Sequence, residues 1–278
     1  MSEQSQHWEK FTRRWNLAES PGRPAPEDIR FFERSLGNWF AVARPRAAPQ
    51  ALLLGVTPEI ARMRWPAVGT QVLAVDQSHT MVRAIWPGAA MGFQAVCADW
   101  TALPVAGDSR DIVIGDGCYT TLARGAYATM TRSIRRVLRV TGVFVIRFFL
   151  RPDRPERVEA VFDDLARRRV GSFFAFKWRL AMALHGTLEQ GVRLADVWDA
   201  WHVAVPRPET LPASLGWPME KIQTINDYRG NAVRYTFPTL AEARATLKSE
   251  FDELDCHLGG YELGRLCPTF VLRPRRHG

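Results

Sequence analysis

A chain of 278 residues, 46% hydrophobic and 24% charged, can bury a large core and has the balance of a globular protein rather than a disordered or fibrous one. Its net charge of +8 comes from arginines scattered as Arg13-Arg14, Arg135-Arg136, Arg167 to Arg169 and Arg273 to Arg276, with lysine scarce. That is a solvated, Arg-rich surface of the kind a high-GC bacterial coding background gives, and a nucleic-acid partner is not expected from it. No apolar run reaches the ~18 residues of a membrane span, and the polar first residues lack a signal-peptide core, so a cytoplasmic location without membrane contact is expected. The four cysteines form no Cys-x-x-Cys pair and no histidine stands at ligand spacing from another, so neither a metal site nor a disulfide framework is expected.

In chain order, residues 1–47 read as two helices. Trp8, Phe11 and Trp15 make an apolar stripe, Pro21 to Pro26 breaks the pattern, and a second helix runs from Asp28 to about Val42 with Phe31, Phe32, Leu36, Trp39 and Phe40 on one side. These helices either pack on a sheet or form a lid over a ligand. Residues 50–56 are a strand ending at Gly55. Pro58 opens a helix that Trp65-Pro66 ends. Gln71 to Asp76 is a second strand, and Ser78 caps a helix through Ile85. Gly92 to Ala98 is a third strand, ending at Asp99-Trp100. Asp111 to Gly115 is a fourth, running into Asp116-Gly117-Cys118-Tyr119. A helix over Tyr127 to Val140 stops at Thr141-Gly142, and Gly142 to Leu150 is a fifth strand. Further helices are expected from Pro155 to Arg168, Phe173 to Leu188 and Leu194 to Val203, with a short one at Glu220 to Tyr228. A helix at Leu240 to Leu247 precedes two strands, Phe251 to Leu258 and Cys267 to Leu272, paired as a hairpin.

Strands alternating with helical segments predict a mostly parallel α/β sheet with helices on both faces. Such a sheet brings Gly55, Asp76, Asp99 and Asp116 to one edge, where ligands of open α/β sheets bind. A strand, a glycine turn, a helix, and an acid about 20 residues on is the layout of a nucleotide-binding βαβ unit.

This order of motifs resembles the class I S-adenosylmethionine-dependent methyltransferases, whose Rossmann-like sheet has seven strands, the last two a reversed hairpin. The likeness is good over residues 50–150, fits the final helix and hairpin at 240–275, and leaves the N-terminal 47 residues and a 170–235 insertion uncovered. It implies one methyltransferase domain over 1–278, with S-adenosylmethionine as cofactor, S-adenosylhomocysteine as product, and no metal. Of the family's Gly-x-Gly-x-Gly only Gly55 is kept; Thr57 and Pro58 follow it. By the resemblance, Thr57 reaches the methionine portion and Asp76 holds the ribose hydroxyls. Gln77 and Met81 lie beside the adenosine. Asp99 accepts from the adenine amino group while Trp100 flanks the ring, and Asp116-Gly117 borders the methionine and the acceptor. Thr141-Gly142 stands for the usual Pro-Gly-Gly. Each position also has a plainer reading: a turn at Gly55, a solvated strand end at Asp76, a cap at Asp99, a core ring at Trp100, loop bonding at Asp116. His79, His185 and His202 read as packed or surface residues rather than bases.

Asp116 and Tyr119 are the candidates for acceptor contact. No Asn-Pro-Pro-aromatic step follows strand four, which disfavours an amino-directed nucleobase methylase and leaves a small-molecule acceptor as the expected partner. The rivals are an RNA or protein methyltransferase, an NAD-linked oxidoreductase, and a catalytically silent S-adenosylmethionine-binding protein.

Overall fold

The computed structural model describes residues 3–276. Its centre is a seven-stranded sheet. In chain order the strands are β1 (Gln50–Leu54), β2 (Gln71–Asp76), β3 (Gln94–Cys97), β4 (Arg110–Asp116) and β5 (Leu138–Arg147), then a separate short pair β6 (Val192–Arg193) and β7 (Arg234–Tyr235), and last β8 (Phe251–His257) and β9 (Thr269–Pro274). The large sheet runs β3-β2-β1-β4-β5-β9-β8. β1 to β5 pair in parallel, and β9 pairs antiparallel with both β5 and β8. The predicted sheet and its terminal hairpin are therefore present. The order reverses between β1 and β4, and at such a switch point the two outgoing connections part and leave a crevice at the strand C-termini.

The helices are α1 (Glu3–Arg13), α2 (Pro26–Ala43), α3 (Pro58–Ala61), α4 (His79–Ile85), α5 (Tyr127–Val137), α6 (Val158–Ala166), α7 (Phe173–Ala183), α8 (Leu194–Ala204), α9 (Leu211–Leu215), α10 (Met219–Gln223) and α11 (Leu240–Leu247). Strand alternation sorts the core into two layers. Ala51 and Leu53 of β1 pack with Phe31, Phe32 and Leu36 of α2, while Leu52 and Leu54 pack with Met130 and Ile134 of α5 and Leu247 of α11. The insertion has an apolar cluster of its own around Phe173, Phe176, Trp201 and Phe237.

Several boundaries differ from expectation, among them the helix from Phe173, which ends at Ala183 rather than Leu188, and the one expected from Pro155, which begins at Val158. The helix opened by Pro58 ends at Ala61, well before Trp65-Pro66. Helix α5 ends at Val137, and Thr141-Gly142 is not its stop but lies inside β5, which begins at Leu138. The register between β4 and β5 shifts there, from Arg110 opposite Leu138 to Ile112 opposite Val143. The glycine fits that irregularity because a Cβ on Gly142 would sit 2.7 Å from Leu138 Cδ1 and 2.8 Å from the Asp111 carbonyl oxygen. A backbone atom cannot step aside as a flexible side chain can. Gly142→Ala should therefore destabilise the protein by about 1–3 kcal/mol, as overpacking does, read as a lower urea midpoint at unchanged slope. An unchanged midpoint would mean that the strand start relaxes freely.

Candidate functional site

At the switch point lies a partly open cavity, in the place where ligands of open α/β sheets bind. Three groups of residues line it. The strand ends supply Leu54 to Thr57, Asp76-Gln77, and Asp116 to Cys118. Helix α1 and the turn after it supply Trp8, Phe11 and Trp15. Phe149 and, from the insertion, Phe174, Trp178, Tyr228 and Tyr235 close the far side. One end is thus polar and the other aromatic. Among the described residues no Lys, Arg, His or Glu lines this cavity.

The polar end is built from backbone geometry. Gly55 has φ +94°, which L side chains rarely adopt, and a Cβ there would project between Asp76 Oδ2 at 3.9 Å and Thr57 Oγ1 at 4.0 Å. Glycine leaves that space free and lets a ligand approach the backbone. Thr57 precedes α3 but makes no capping bond with its side chain. Asp76 Oδ1 accepts the Ser78 N–H at 2.7 Å, while Oδ2 has no hydrogen-bond partner among the described residues. Burial pushes the Asp76 carboxyl up to about 6, against the opposing pull of that N–H. Asp76 lines the cavity with Oδ2 free of any protein donor among the described residues, an acceptor that a diol would satisfy.

Gln77 joins the cavity to a neighbouring groove lined by Cys97, Ala98, Asp99 and Thr101. Asp99 lies in that groove and not in the main cavity. Its Oδ1 accepts the Thr101 N–H at 2.8 Å, capping a short 3-10 turn, and the Gln77 side-chain amide at 3.3 Å. Trp100 is both core and wall: it lines the cavity, is buried, and donates its ring N–H to the Val75 carbonyl at 2.6 Å. Met81 also lines the cavity, and its sulfur takes the Thr12 hydroxyl of α1 at 3.2 Å. Gly117 is in the wall, packed beneath Phe149. Pro58 is buried at the start of α3 and is not among the lining residues.

Of the two acceptor-contact candidates, Asp116 reaches the cavity and Tyr119 does not. Tyr119 is in the core, stacked on Phe148 at 4.7 Å, with its hydroxyl bonded to Thr131 Oγ1 at 2.8 Å, and it does not line the cavity. It sits on a short 3-10 turn after Gly117 that carries its ring into the layer beneath the sheet edge. Asp116 does line the cavity, but Oδ1 is held at 2.6 Å by Nε of Arg147.

Arg147 is fully buried and ties four segments together. Besides Asp116, it meets Asp28 Oδ2 at 3.3 Å, the Tyr261 hydroxyl at 3.1 Å and the Pro21 carbonyl at 3.0 Å. Burial alone would lower Arg147, but the Asp116 charge and hydrogen bond outweigh it and hold the guanidinium well above its ordinary value. Arg147 interrupts the apolar run from Val143 to Leu150, and that interruption is its signal in the sequence, since a lone charge inside a buried strand must be paired.

Helix α1 forms the roof of the cavity. Thr12 is fixed to Met81, Arg14 donates to the Gln223 carbonyl at 2.8 Å, and His7 bonds the Tyr235 hydroxyl at 2.9 Å. Of the N-terminal helices, α2 packs on the sheet and α1 lies over the cavity. Among the described residues no cluster of three or more His, Cys, Asp or Glu side chains is placed to hold a metal ion, and no helix is long and apolar enough to cross a membrane.

Comparison with known proteins agrees with this geometry. Residues 52–146 match the family described as methyltransferase domain. No curated protein sequence matches the chain significantly. Among solved structures, a Rhodobacter sphaeroides protein provisionally named a Zn-dependent alcohol dehydrogenase superposes with a TM-score of 0.63 at 11% identity, over 99% of this chain and 100% of that one. The CcbJ methyltransferase from Streptomyces caelestis gives 0.52 at 14% identity, over 99% and 100%. The PH0226 protein from Pyrococcus horikoshii gives 0.51 at 13% identity, over 94% of each chain. At such identities these likenesses speak for the fold. Residues 52–146 thus match a methyltransferase domain, within a chain whose whole sheet has the Rossmann-like, seven-stranded fold.

Proposed function

We propose that the chain binds S-adenosylmethionine along the Gly55–Asp76–Asp99 edge and passes its methyl group to an uncharged small molecule held beneath α1. The observation that carries this reading is the pairing of an unpartnered Asp76 Oδ2 with the glycine cradle at one end of a cavity whose other end is aromatic. Asp76 accepts from the ribose hydroxyls. Asp99 offers its second oxygen to the adenine amino group in the adjoining groove, with Gln77 between the two acids. The Thr57 hydroxyl meets the amino-acid portion, and Trp100 and Met81 give apolar flanks. The cofactor, when bound, supplies a methyl group on sulfonium and leaves as S-adenosylhomocysteine.

Burial raises the Asp116 carboxyl, against the pull of the Arg147 charge and hydrogen bond, but its Oδ1 is occupied by the Arg147 guanidinium, so we assign it to that pair rather than to proton removal from the acceptor. With Asp76 assigned to the ribose and no Lys, His or Glu in the described wall, the chain contributes positioning and exclusion of water to an acceptor that is already nucleophilic. The absence of Lys and Arg from that wall favours a small molecule over RNA, whose phosphates would need them. A silent binding protein is the second reading, favoured by Thr57 and Glu59 standing where the family has glycine. S-adenosylhomocysteine production over a panel of aromatic acceptors separates the two.

Calorimetry tests the cofactor assignment: S-adenosylhomocysteine should bind and NADH should not, and the reverse would overturn it. The same titration has a pH signature. Because folding raises the Asp76 pKa from 3.8 to about 6, ionising it costs the ligand-free fold stability as pH rises through that window. Donated ribose hydroxyls favour the ionised form, so affinity should be full above pH 7 and fall as pH drops through 6. About one tenth of the carboxyl is ionised at pH 5, so the loss from pH 7 should be roughly tenfold. A flat profile would remove Asp76 from the binding step.

A further inference from the structure

The aromatic end of the cavity contains one phenol whose proton can be placed from the bonds behind it. Tyr235 of β7 lines the cavity, with its ring parallel to Trp178 at 5.8 Å. Its hydroxyl faces Nε2 of buried His7 at 2.9 Å, and Nδ1 of His7 faces the Asn231 amide nitrogen at 3.1 Å. The Asn231 amide cannot be turned around without loss. Its oxygen accepts the Val233 N–H at 3.0 Å, and its nitrogen donates to the Asp227 carbonyl at 3.2 Å. The amide nitrogen therefore donates to Nδ1, Nδ1 carries a lone pair, and the imidazole proton is on Nε2. That N–H donates to the Tyr235 oxygen. Among the described residues the hydroxyl has no second partner, so its own proton has only the cavity to turn to.

We propose that Tyr235, oriented through His7 and Asn231, is the donor that positions the methyl acceptor, and that this acceptor is an uncharged planar molecule carrying an oxygen that takes the bond. The proposal rests on the methyl-transfer reading above. It makes Tyr235 a positioning residue. A donor on the attacked atom would weaken its nucleophilicity, so the bonded oxygen is a carbonyl or ether beside that atom. The relay cannot run in reverse as a base: burial, and then Lys177 and Lys10, lower His7 to about 4, and burial holds the Tyr235 phenol well above its ordinary value. The flat rings of Trp178, Phe174, Phe149 and Trp8 suit a planar body, and no charged side chain among the described lining residues stands ready for an ionic one except the two aspartates already assigned.

Two measurements test this. In the ¹⁵N-histidine spectrum of the wild-type protein at pH 7, His7 should be the neutral tautomer protonated on Nε2; protonation on Nδ1 would overturn the orientation argument without any variant. In the second, the protein saturated with S-adenosylhomocysteine is titrated with acetophenone and with ethylbenzene, which has nearly the same shape but lacks the oxygen. Wild type should prefer acetophenone about fivefold, the worth of one ordinary hydrogen bond. Tyr235→Phe should abolish the preference, His7→Leu should reduce it, and His7→Gln, which restores a donor, should recover part of it. An equal preference in Tyr235→Phe would overturn the proposal and leave the cofactor reading intact. Failure of S-adenosylhomocysteine to bind wild type would take down that reading and this inference together.

Discussion

Asp76→Ala should weaken S-adenosylhomocysteine binding by about 1.5–3 kcal/mol, roughly ten- to 150-fold, because charge-assisted hydrogen bonds to the two ribose hydroxyls disappear. The fold should tolerate the change. Asp76 stands at the end of β2, makes one bond to the Ser78 N–H, and is strained in the ionised form by its own burial. Loss of that bond leaves the Ser78 N–H unanswered, while removal of a desolvated carboxylate relieves a cost. The two effects oppose each other, so melting temperature should move little while affinity moves greatly. Asp76→Asn refines the test: it keeps the size and one acceptor oxygen, and should retain more affinity than alanine while losing the pH dependence below 7. A folded Asp76→Ala protein that binds as tightly as wild type would refute the ribose assignment.

Arg147→Ala should be the most destabilising single change, about 3–5 kcal/mol, because it leaves buried carboxylates without their cation. Asp28 shows how little slack the site has: its Oδ2 is shared between Arg147 and the Ala25 N–H, and its Oδ1 is buried without a partner. Replacing the group as a whole is a different experiment. In Arg147→Met/Asp116→Leu/Asp28→Leu the charges leave together, and the cost should shrink to a fraction of the single change. Urea unfolding of both proteins reads the difference. If Arg147→Ala costs under about 1 kcal/mol, the carboxylates find water or protons and the charge is no keystone.

The fold was legible because its signals are local. The apolar run ending at Gly55, the serine before the His79–Ile85 helix and the acid ending β2 are each decided within a few residues, and all three stand where sequence placed them. The start of β5 was misjudged because Thr141-Gly142 has the chemistry of a helix stop, while the true helix end at Val137 carries no such mark. The site was half legible. Its polar end comes from strand termini, whose order along the chain is also their order in the motif. Its aromatic end comes from partners far apart in sequence: His7 and Tyr235 are separated by 228 positions, and Arg147 and Pro21 by 126. Trp8, Phe11 and Trp15 were recognised as one helical face, but periodicity gives a face and not what it faces. Tyr119 was chosen by its distance from a strand end, and the 3-10 turn that swings its ring inward leaves no pattern to read.

The Arg147 cluster also bears on the order in which the molecule assembles. A single guanidinium needs β4, the start of α2 and the segment leading to β9 all at hand before its charge can be enclosed, and loops of more than a hundred residues must close first. Contacts of that reach are slow to form, because loop closure costs entropy before they repay it. The floor beside Asp116 and the turn at Pro21 below the roof helix hang on the same guanidinium, so the two ends of the chamber are held together or lost together.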